Sequence, residues 1–523
     1  MQLRCLPAKE VKRRKTMDGI SRKIYLELEE PTEEDFRSSQ MRILDGLKEK
    51  NISARLSLPV MQKLYPLAEE AGWRVTVSLA WDGEGWLAVD LEKGDTTRIH
   101  LGLAADLGST TVVMRLVDCD RGECLCETSR YNRQIAFGTD ILTRIFYCKD
   151  DEEKRREVQK ATVDTLLDCM EELEESSGTR RQDWISMIVS GNTTMIHFLL
   201  GMDAFCVFYT PYAVRADRPG FLRAGELGLP LKGCLFCTPA RSNYLGGDII
   251  SGLAAVKLHE KEEISLFFDI GTNGELVIGN RDFLLCGAGA AGPALEGGVV
   301  KTGMRAARGA VDQVRLRDGQ FQVHVMGEGK AEGICGSGII DLLAELFLEG
   351  WVDIRGKLVP GKSSLIRQAE GDWAVEYAPG LLFYQKDMDE FIKTKAAAHT
   401  MVEIMLRESG ISMDEIHRFY VAGAFGKHVS KESAIAIGMY PDMDRDRIVN
   451  AGNASLQGAQ ELLLDRELTG RLGEILDKMV YIQFGAVDDF LHMMVAAQAL
   501  PHTDFHRFPT VMEELKRRSG TEL

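Results

Sequence analysis

The chain has no run of eighteen or more apolar residues, although 45% of its 523 residues are hydrophobic. A helix needs about 20 such residues to cross a bilayer, so no membrane-spanning helix is expected. The opening residues, Met1 to Gly19, are charged and hold no apolar core of a secretory signal. An excess of basic charge is also missing. The 63 lysines and arginines face 79 aspartates and glutamates, for a formal net charge of −16. That balance disfavours nucleic acid and anionic membrane as partners. It does not oppose a bound phosphate, which backbone amides and a metal ion neutralise locally. Paired cysteine motifs are scarce. Eleven cysteines, an odd number, are scattered without a disulfide framework, and reduced thiols fit a cytoplasmic setting. The one C-x-x-C, Cys234 to Cys237, has no second pair or nearby histidines to complete a metal site, and reads as two buried thiols.

The length allows two to four domains. Residues 1–30 read as an N-terminal linker segment in which Ile24, Leu26 and Leu28 alternate as a short strand. Residues 31–100 read as a small α/β module. Met41, Ile43, Leu44 and Leu47 have helical spacing, a second helix is expected at 58–71, and two alternating strands flank Asp82-Gly83-Glu84-Gly85. A first lobe is expected over 101–262. It opens with strand, Gly-Ser-Thr-Thr turn and strand, continues with a third strand and a charged helix at 151–177, and reaches a strand ending in Gly191-Asn192-Thr193-Thr194. At 264 the pattern restarts. Asp269-Ile270-Gly271-Thr272-Asn273 repeats the kind of Asp106-Leu107-Gly108-Ser109-Thr110, which suits a duplicated domain, with the second lobe over 263–523. Helical text dominates from 338 onward, interrupted by a strand at 417–425.

Tight turns of glycine and hydroxyl residues expose backbone N–H groups that bind phosphate oxygens. The expected cradles are Gly108, Ser109, Thr110 and Thr111, and Gly271, Thr272, Asn273 and Gly274. Asp106 and Asp269, each ending the preceding strand, are placed to hold a divalent cation such as Mg²⁺. One such turn alone is as readily an ordinary β-turn; two between apolar strands point to a triphosphate. Glu275 follows the second turn and is expected either to orient water for hydrolysis or to be a solvated strand charge. Asn192 is a polar candidate at a strand end. Gly336, Ser337 and Gly338 open a helix that would receive an anion or pack tightly. Glu296 stands in a second glycine-rich stretch. Asp341 is expected to complement a helix dipole, and His197 to be packed.

These motifs resemble the superfamily of sugar kinases, heat-shock chaperone ATPases and actin. Tyr244 to Ala255 resembles its first connector helix, whose small residues would let two helices cross closely at a hinge. Tyr420 to Gly426, with Gly423, Ala424, Phe425 and Gly426, resembles its adenosine motif, and Ala451 to Ala459 its second connector. The resemblance implies an α/β fold of duplicated ribonuclease-H-like lobes, the actin-like ATPase fold, binding ATP and Mg²⁺ between them. Closer wording, GNTTM at 191–195, FDIGTNGE at 268–275, AAGPALEGG at 290–298, GICGSGIID at 333–341 and VAGAFG at 421–426, resembles the reductive activators of corrinoid proteins. That family implies an ATPase that restores Co(II) cobalamin to Co(I) in a corrinoid protein of a methyltransferase system. Many members carry iron–sulfur clusters on cysteines at one end. Here Cys5 stands alone before residue 101 and Cys335 is the last cysteine, so a separate low-potential donor such as a ferredoxin is expected. A homodimer is left open. The alternative is a small-molecule, sugar-type kinase of the same superfamily.

Overall fold

The computed structural model describes residues 18–271, 273–289, 300–423 and 429–519. It divides into two compact units, Met1–Ala255 with Ala454–Asp477, and Val256–Asn453 with Lys478–Leu523.

The first unit begins with β1 (Ser21–Glu27), α1 (Ser39–Glu49), β2 (Ala54–Leu56), α2 (Leu58–Glu70), β3 (Arg74–Trp81) and β4 (Trp86–Lys93). The Ser38 hydroxyl starts α1 by accepting from Met41 N–H, and Pro59 sits where α2 opens. The strands form one sheet in the order β1-β3-β4-β2. Val75, Val77 and Leu79 of β3 alternate onto a buried cluster with Ile43, Leu47, Val60 and Leu64 of the helices. The strand expected near 24–28 pairs with β3 along its whole length. The module's sheet therefore draws on the segment read as linker and starts before residue 31.

The first lobe follows as β5 (Leu101–Leu107), β6 (Thr111–Asp118), β7 (Glu123–Tyr131), α3 (Ile141–Tyr147), α4 (Glu152–Ser177), β8 (Met187–Gly191), α5 (Thr193–Leu199), β9 (Gly220–Arg223), β10 (Cys234–Cys237) and α6 (Gly247–Val256). Its sheet runs β7-β6-β5-β8-β10-β9, with β5, β8 and β10 parallel. Leu101, Leu103, Ala105 and Leu107 share one face with Val158, Leu166 and Leu173 of α4. Cys237 joins that core, whereas Cys234 packs with Ala80, Leu87 and Ile185 in another cluster. The two thiols thus face opposite sides of the sheet.

The second unit contains β11 (Ser265–Ile270), β12 (Gly274–Gly279), β13 (Leu284–Gly289), β14 (Ala310–Arg317), β15 (Gln320–Val325), β16 (Gly333–Ile334), α7 (Gly336–Leu348), β17 (Ile366–Ala369), β18 (Asp372–Ala378), β19 (Leu381–Tyr384), α8 (Gln385–Ser409), β20 (Arg418–Ala422), α9 (Lys431–Ala436) and β21 (Ile448–Gly452). After α10 (Ala454–Leu464) and α11 (Arg466–Lys478), it resumes with β22 (Met479–Ile482), α12 (Phe490–Ala497) and α13 (Pro509–Ser519). Its main sheet runs β21-β20-β11-β12-β13-β22. In order and direction, β13-β12-β11-β20-β21 repeats β7-β6-β5-β8-β10: a central strand, an antiparallel meander to one side and two parallel strands to the other. The fold is the duplicated α/β architecture that the two Asp-x-Gly turns predict.

Two features differ from the sequence reading. The mostly helical stretch after 338 also holds the sheet of β17, β18 and β19, in which Val375 and Tyr377 are buried at strand alternation. Residues 454–477, assigned to the second lobe, belong to the first unit. A Cβ on Gly458 of α10 would lie 1.9 Å from the Ser251 carbonyl of α6, so these two helices cross backbone to backbone. Among the described residues no helix is long and apolar enough to cross a membrane.

Candidate functional site: two phosphate turns

In the first unit, the β5–β6 turn is built from behind. The Gly108 carbonyl accepts from Asn132 Nδ2 at 3.0 Å, the Ser109 carbonyl from Arg144 Nη1 at 2.6 Å, and the Thr110 carbonyl from Asn132 N–H at 2.9 Å. A trans peptide points its N–H opposite to its carbonyl. Pinning the carbonyls on one side therefore aims the N–H groups of Ser109 and Thr110 to the other, where they have no acceptor among the described residues. Gly108 is required, since a Cβ there would lie 2.4 Å from the Thr111 carbonyl. The register Leu107↔Gly191 sets Asn192 beside this turn. Its side-chain carbonyl caps α5 by accepting from Met195 N–H at 2.9 Å, leaving the amide N–H groups for a ligand. Thr111 opens β6.

Asp106 ends a chain of hydroxyls. Ser455 Oγ of α10 donates to Asp106 Oδ1 at 2.8 Å and lies 2.9 Å from Ser190 Oγ of β8, which contacts Ser251 Oγ of α6. Ser455 has one proton and gives it to the carboxylate, while the Ser190 hydroxyl donates to the Gly247 carbonyl at 3.1 Å. All three serines are buried. One turn earlier on α6 stands Asp248. It keeps some surface yet is surrounded by protein. That desolvation, with the Asp106 charge nearby, pushes its carboxyl up to about 7. Backbones crowd around it: a Cβ on Gly246 would lie 2.4 Å from Asn192 Cα, and one on Gly247 1.9 Å from Thr238 Oγ1. Asp248, the serine chain, Asn132 and Arg144 were not singled out in the sequence. Only the small residues around Asp248, in GGDIISG, hinted at a close crossing.

In the second unit, Gly271 N–H donates to the Asn273 carbonyl at 2.9 Å and closes the β11–β12 turn. Asp269 is directly opposite Glu275, and Ile270 opposite Gly274. Residues directly opposite on antiparallel strands share a face, so the Asp269 and Glu275 carboxylates stand on one side of the hairpin. Gly423, at φ +89, follows β20. A Cβ there would lie 2.4 Å from the Ile270 carbonyl and 2.8 Å from Asp269 Oδ1. Positive φ and this approach both demand glycine. Thr272, Ala424, Phe425, Gly426 and Glu296 lie outside the described residues.

The Gly336–Ser337–Gly338 stretch is explained largely by packing. Ser337 Oγ donates to the Asp312 carbonyl at 3.0 Å, and a Cβ on Gly338 would lie 2.3 Å from the Val311 carbonyl of β14. Asp341 is buried; it accepts from Ser433 Oγ at 2.5 Å and pairs with Arg315 at 3.0 Å, tying α7 to α9 and β14. His197 is packed, with Nδ1 2.7 Å from the Thr193 carbonyl and Nε2 accepting from Arg215 N–H at 3.1 Å.

Among the described residues one group, His399, Glu403 and His502, has metal-ligand proximity. Its neighbours oppose a cation. Arg507 holds Glu403 at 2.7 Å, Asp504 N–H occupies His502 Nδ1 at 2.9 Å, and the Lys395 ammonium lies near His399. The oxygen-only sets at Asp106 and at Asp269 with Glu275 fit a hard cation such as Mg²⁺ better.

Comparison with known proteins agrees with this layout. The descriptions "RACo linker region", "RACo middle region" and "C-terminal domain of RACo the ASKHA domain" match residues 10–98, 101–261 and 263–512 in turn. The corrinoid activation enzyme RamQ of Eubacterium limosum is 29% identical over 387 residues, 71% of this chain and 65% of the relative. The Co(II) methylated amine-specific corrinoid protein reductase of Methanosarcina barkeri is 29% identical over 263 residues, 46% of each chain. The chain thus spans less than two thirds of these two curated relatives. A solved structure, a reductive activator for corrinoid, iron-sulfur protein, superposes with a TM-score of 0.88 at 33% identity, over 96% of this chain and 82% of that one.

Proposed function

This chain belongs to the RACo family of reductive activators of corrinoid proteins, and from that premise we propose that it hydrolyses ATP to drive reduction of Co(II) to Co(I) in a corrinoid protein. The observation that carries the ATP half is the duplicated strand, aspartate and glycine turn, whose first copy aims the Ser109 and Thr110 N–H groups away from the carbonyls pinned behind it. In the first unit the Ser109 and Thr110 N–H groups, with Asn192, would hold phosphate oxygens; in the second unit the turn of Gly271, Thr272, Asn273 and Gly274 would be a phosphate cradle of its own, the Gly271 N–H being spent on the Asn273 carbonyl. The Gly423 to Gly426 segment, including Ala424 and Phe425, receives the adenosine, and Gly336 to Gly338 present a helix N-terminus to the nucleotide. Asp106 and Asp269 would hold Mg²⁺, which neutralises phosphate charge when bound. Ser455 fixes the Asp106 carboxylate in orientation.

Hydrolysis transfers the terminal phosphoryl group of ATP to water and releases a proton. Asp248, with its carboxyl near 7, is the group best matched to accept it, because a base is most effective when its pKa lies near the working pH. Within the second unit, Glu275 stands on the same side of its hairpin as Asp269 and would orient a water there. Hydrolysis yields ADP and phosphate but no electron. The electron for cobalt comes from a low-potential donor of ferredoxin type. ATP acts by favouring a protein state with higher affinity for the reducible form of the partner. No described feature favours the sugar-kinase alternative.

The test uses purified protein, a Co(II) corrinoid protein and a chemical low-potential reductant under anaerobic conditions, followed by the visible absorbance of cobalt. Co(I) formation that needs Mg-ATP supports the reading. Equal Co(I) formation with and without ATP sinks it.

A further inference from the structure

Arg144 is fully buried. Its Nε donates to the Gly138 carbonyl at 2.9 Å, and its Nη1 to the Ser109 carbonyl at 2.6 Å and to Gln134 Oε1 at 3.1 Å. Every one of these acceptors is neutral, and among the described residues no carboxylate forms a direct ion pair with it, the Asp140 charge acting on it only from a distance. Its Nη2 is buried with no partner among the described residues. A buried guanidinium without a direct counter-ion is unfavourable for stability alone. The chain nonetheless builds a scaffold for it. Asp140 caps α3, accepting from Thr143 N–H at 2.8 Å and Thr143 Oγ1 at 2.7 Å, and α3 carries Arg144 back to the turn. Gly138 allows the chain to pass, since a Cβ there would lie 2.7 Å from Thr143 Cβ.

The Ser109 carbonyl belongs to the same peptide unit as the Thr110 N–H. A charge-assisted hydrogen bond on that carbonyl polarises the peptide and strengthens its N–H as a donor. We propose that Arg144 is a positioning residue of the first phosphate turn, whose buried charge, acting through the Ser109–Thr110 peptide, makes that turn selective for the anionic phosphates of a nucleotide. This rests on the ATP reading above and adds the source of the turn's anion preference. The counter-charge missing in the protein is then the phosphate itself. An anion bound at the turn adds a counter-charge for Arg144, so ATP should stabilise the wild type more than it stabilises a variant lacking the charge.

The test compares wild type with Arg144→Lys and Arg144→Met by calorimetric titration with Mg-ATP and, separately, with adenosine. Mg-ATP affinity should fall on the order of tenfold in Arg144→Lys, which loses the fork, and about a hundredfold in Arg144→Met, as expected for a charge-assisted bond. Adenosine affinity should stay within about twofold in both, since that ligand brings no phosphate to the turn. In steady state, KM for ATP should rise more than kcat falls. If ATP and adenosine affinity fall together, or if Mg-ATP affinity is unchanged in both variants, the proposal is overturned. Wild-type protein that binds neither ligand defeats the ATP reading and this proposal with it. Where Arg144→Met fails to fold without the fork, Arg144→Lys, checked by circular dichroism, decides on its own.

Discussion

Asp248→Asn should make the protein more stable and less active, and the sign follows from burial. The Asp248 carboxyl is pushed from its ordinary 3.8 up to about 7, first by desolvation and then by the Asp106 charge. Between those values the folded protein keeps a proton that the unfolded chain has released. Stability therefore falls as pH rises from about 4 to about 7, and is level above that. At about 1.4 kcal/mol per pH unit the full effect is at most about 4 kcal/mol. Relaxation around the partly exposed carboxylate reduces it, so about 2 kcal/mol is expected. An asparagine keeps the bond that Asp248 Oδ1 accepts from Ile249 N–H at 2.9 Å and carries no charge. At pH 8 the variant should melt about 4 °C above wild type, the gap closing as pH falls toward 5. ATP turnover should drop by about a hundredfold or more, the usual effect of removing a general base. Differential scanning fluorimetry from pH 5 to 8.5, with phosphate release on the same samples, measures both. Parallel melting profiles for the two proteins would show that Asp248 ionises as an ordinary carboxylate, and the assignment as base would fall with it.

The remaining expectations use the same protein. Asp106→Asn and Asp269→Asn should each lower ATP hydrolysis about a hundredfold or more while shifting the melting temperature by less than about 2 °C, as phosphate release and fluorimetry will show. Gly458→Val should destabilise the first unit by about 2–4 kcal/mol in urea unfolding, because its Cβ would strike the Ser251 carbonyl at 1.9 Å; an unchanged midpoint would refute the close crossing of α6 and α10. Gly423→Ala should weaken Mg-ATP binding, measured by titration, because the new Cβ meets both the Ile270 carbonyl and Asp269 Oδ1. Anaerobically purified chain should hold no stoichiometric iron and sulfide, since Cys234 and Cys237 face opposite sides of their sheet; a cluster found by metal and sulfide analysis would overturn that.

What could be read from the sequence was local in the chain. Each Asp-x-Gly turn lies between two apolar strands that pair with each other, so period-two alternation, a turn signal and a terminal aspartate sit within about 17 residues of sequence. The close helix crossing at the connectors was legible for the same reason, because small residues cluster in GGDIISG and NASLQGA. The sheet of β17, β18 and β19 was missed because its strands are short and mostly half exposed, which leaves little apolar alternation to detect. Asp248 was missed because its pKa depends on folded surroundings and on Asp106, far away in sequence.

The two turns also show why a motif can be visible when its support is not. Their fronts share a strand, an aspartate and a glycine, although the Gly271 N–H is spent within its own turn. Their backs differ. The first turn is pinned by side chains, Asn132 and Arg144, which lie 24 and 35 residues downstream of the carbonyls they hold. The second is backed by a side-chain-free approach, Gly423 of the strand end against the Ile270 carbonyl. A duplicated ligand chemistry constrains the fronts, and nothing constrains the two backs to use the same solution. The first back brings a buried charge and the second brings none. The first turn therefore has a cation behind it, whereas among the described residues none backs the second. Substitutions behind the first turn should consequently act on nucleotide affinity through charge, whereas those behind the second should act through backbone geometry and the placement of Asp269.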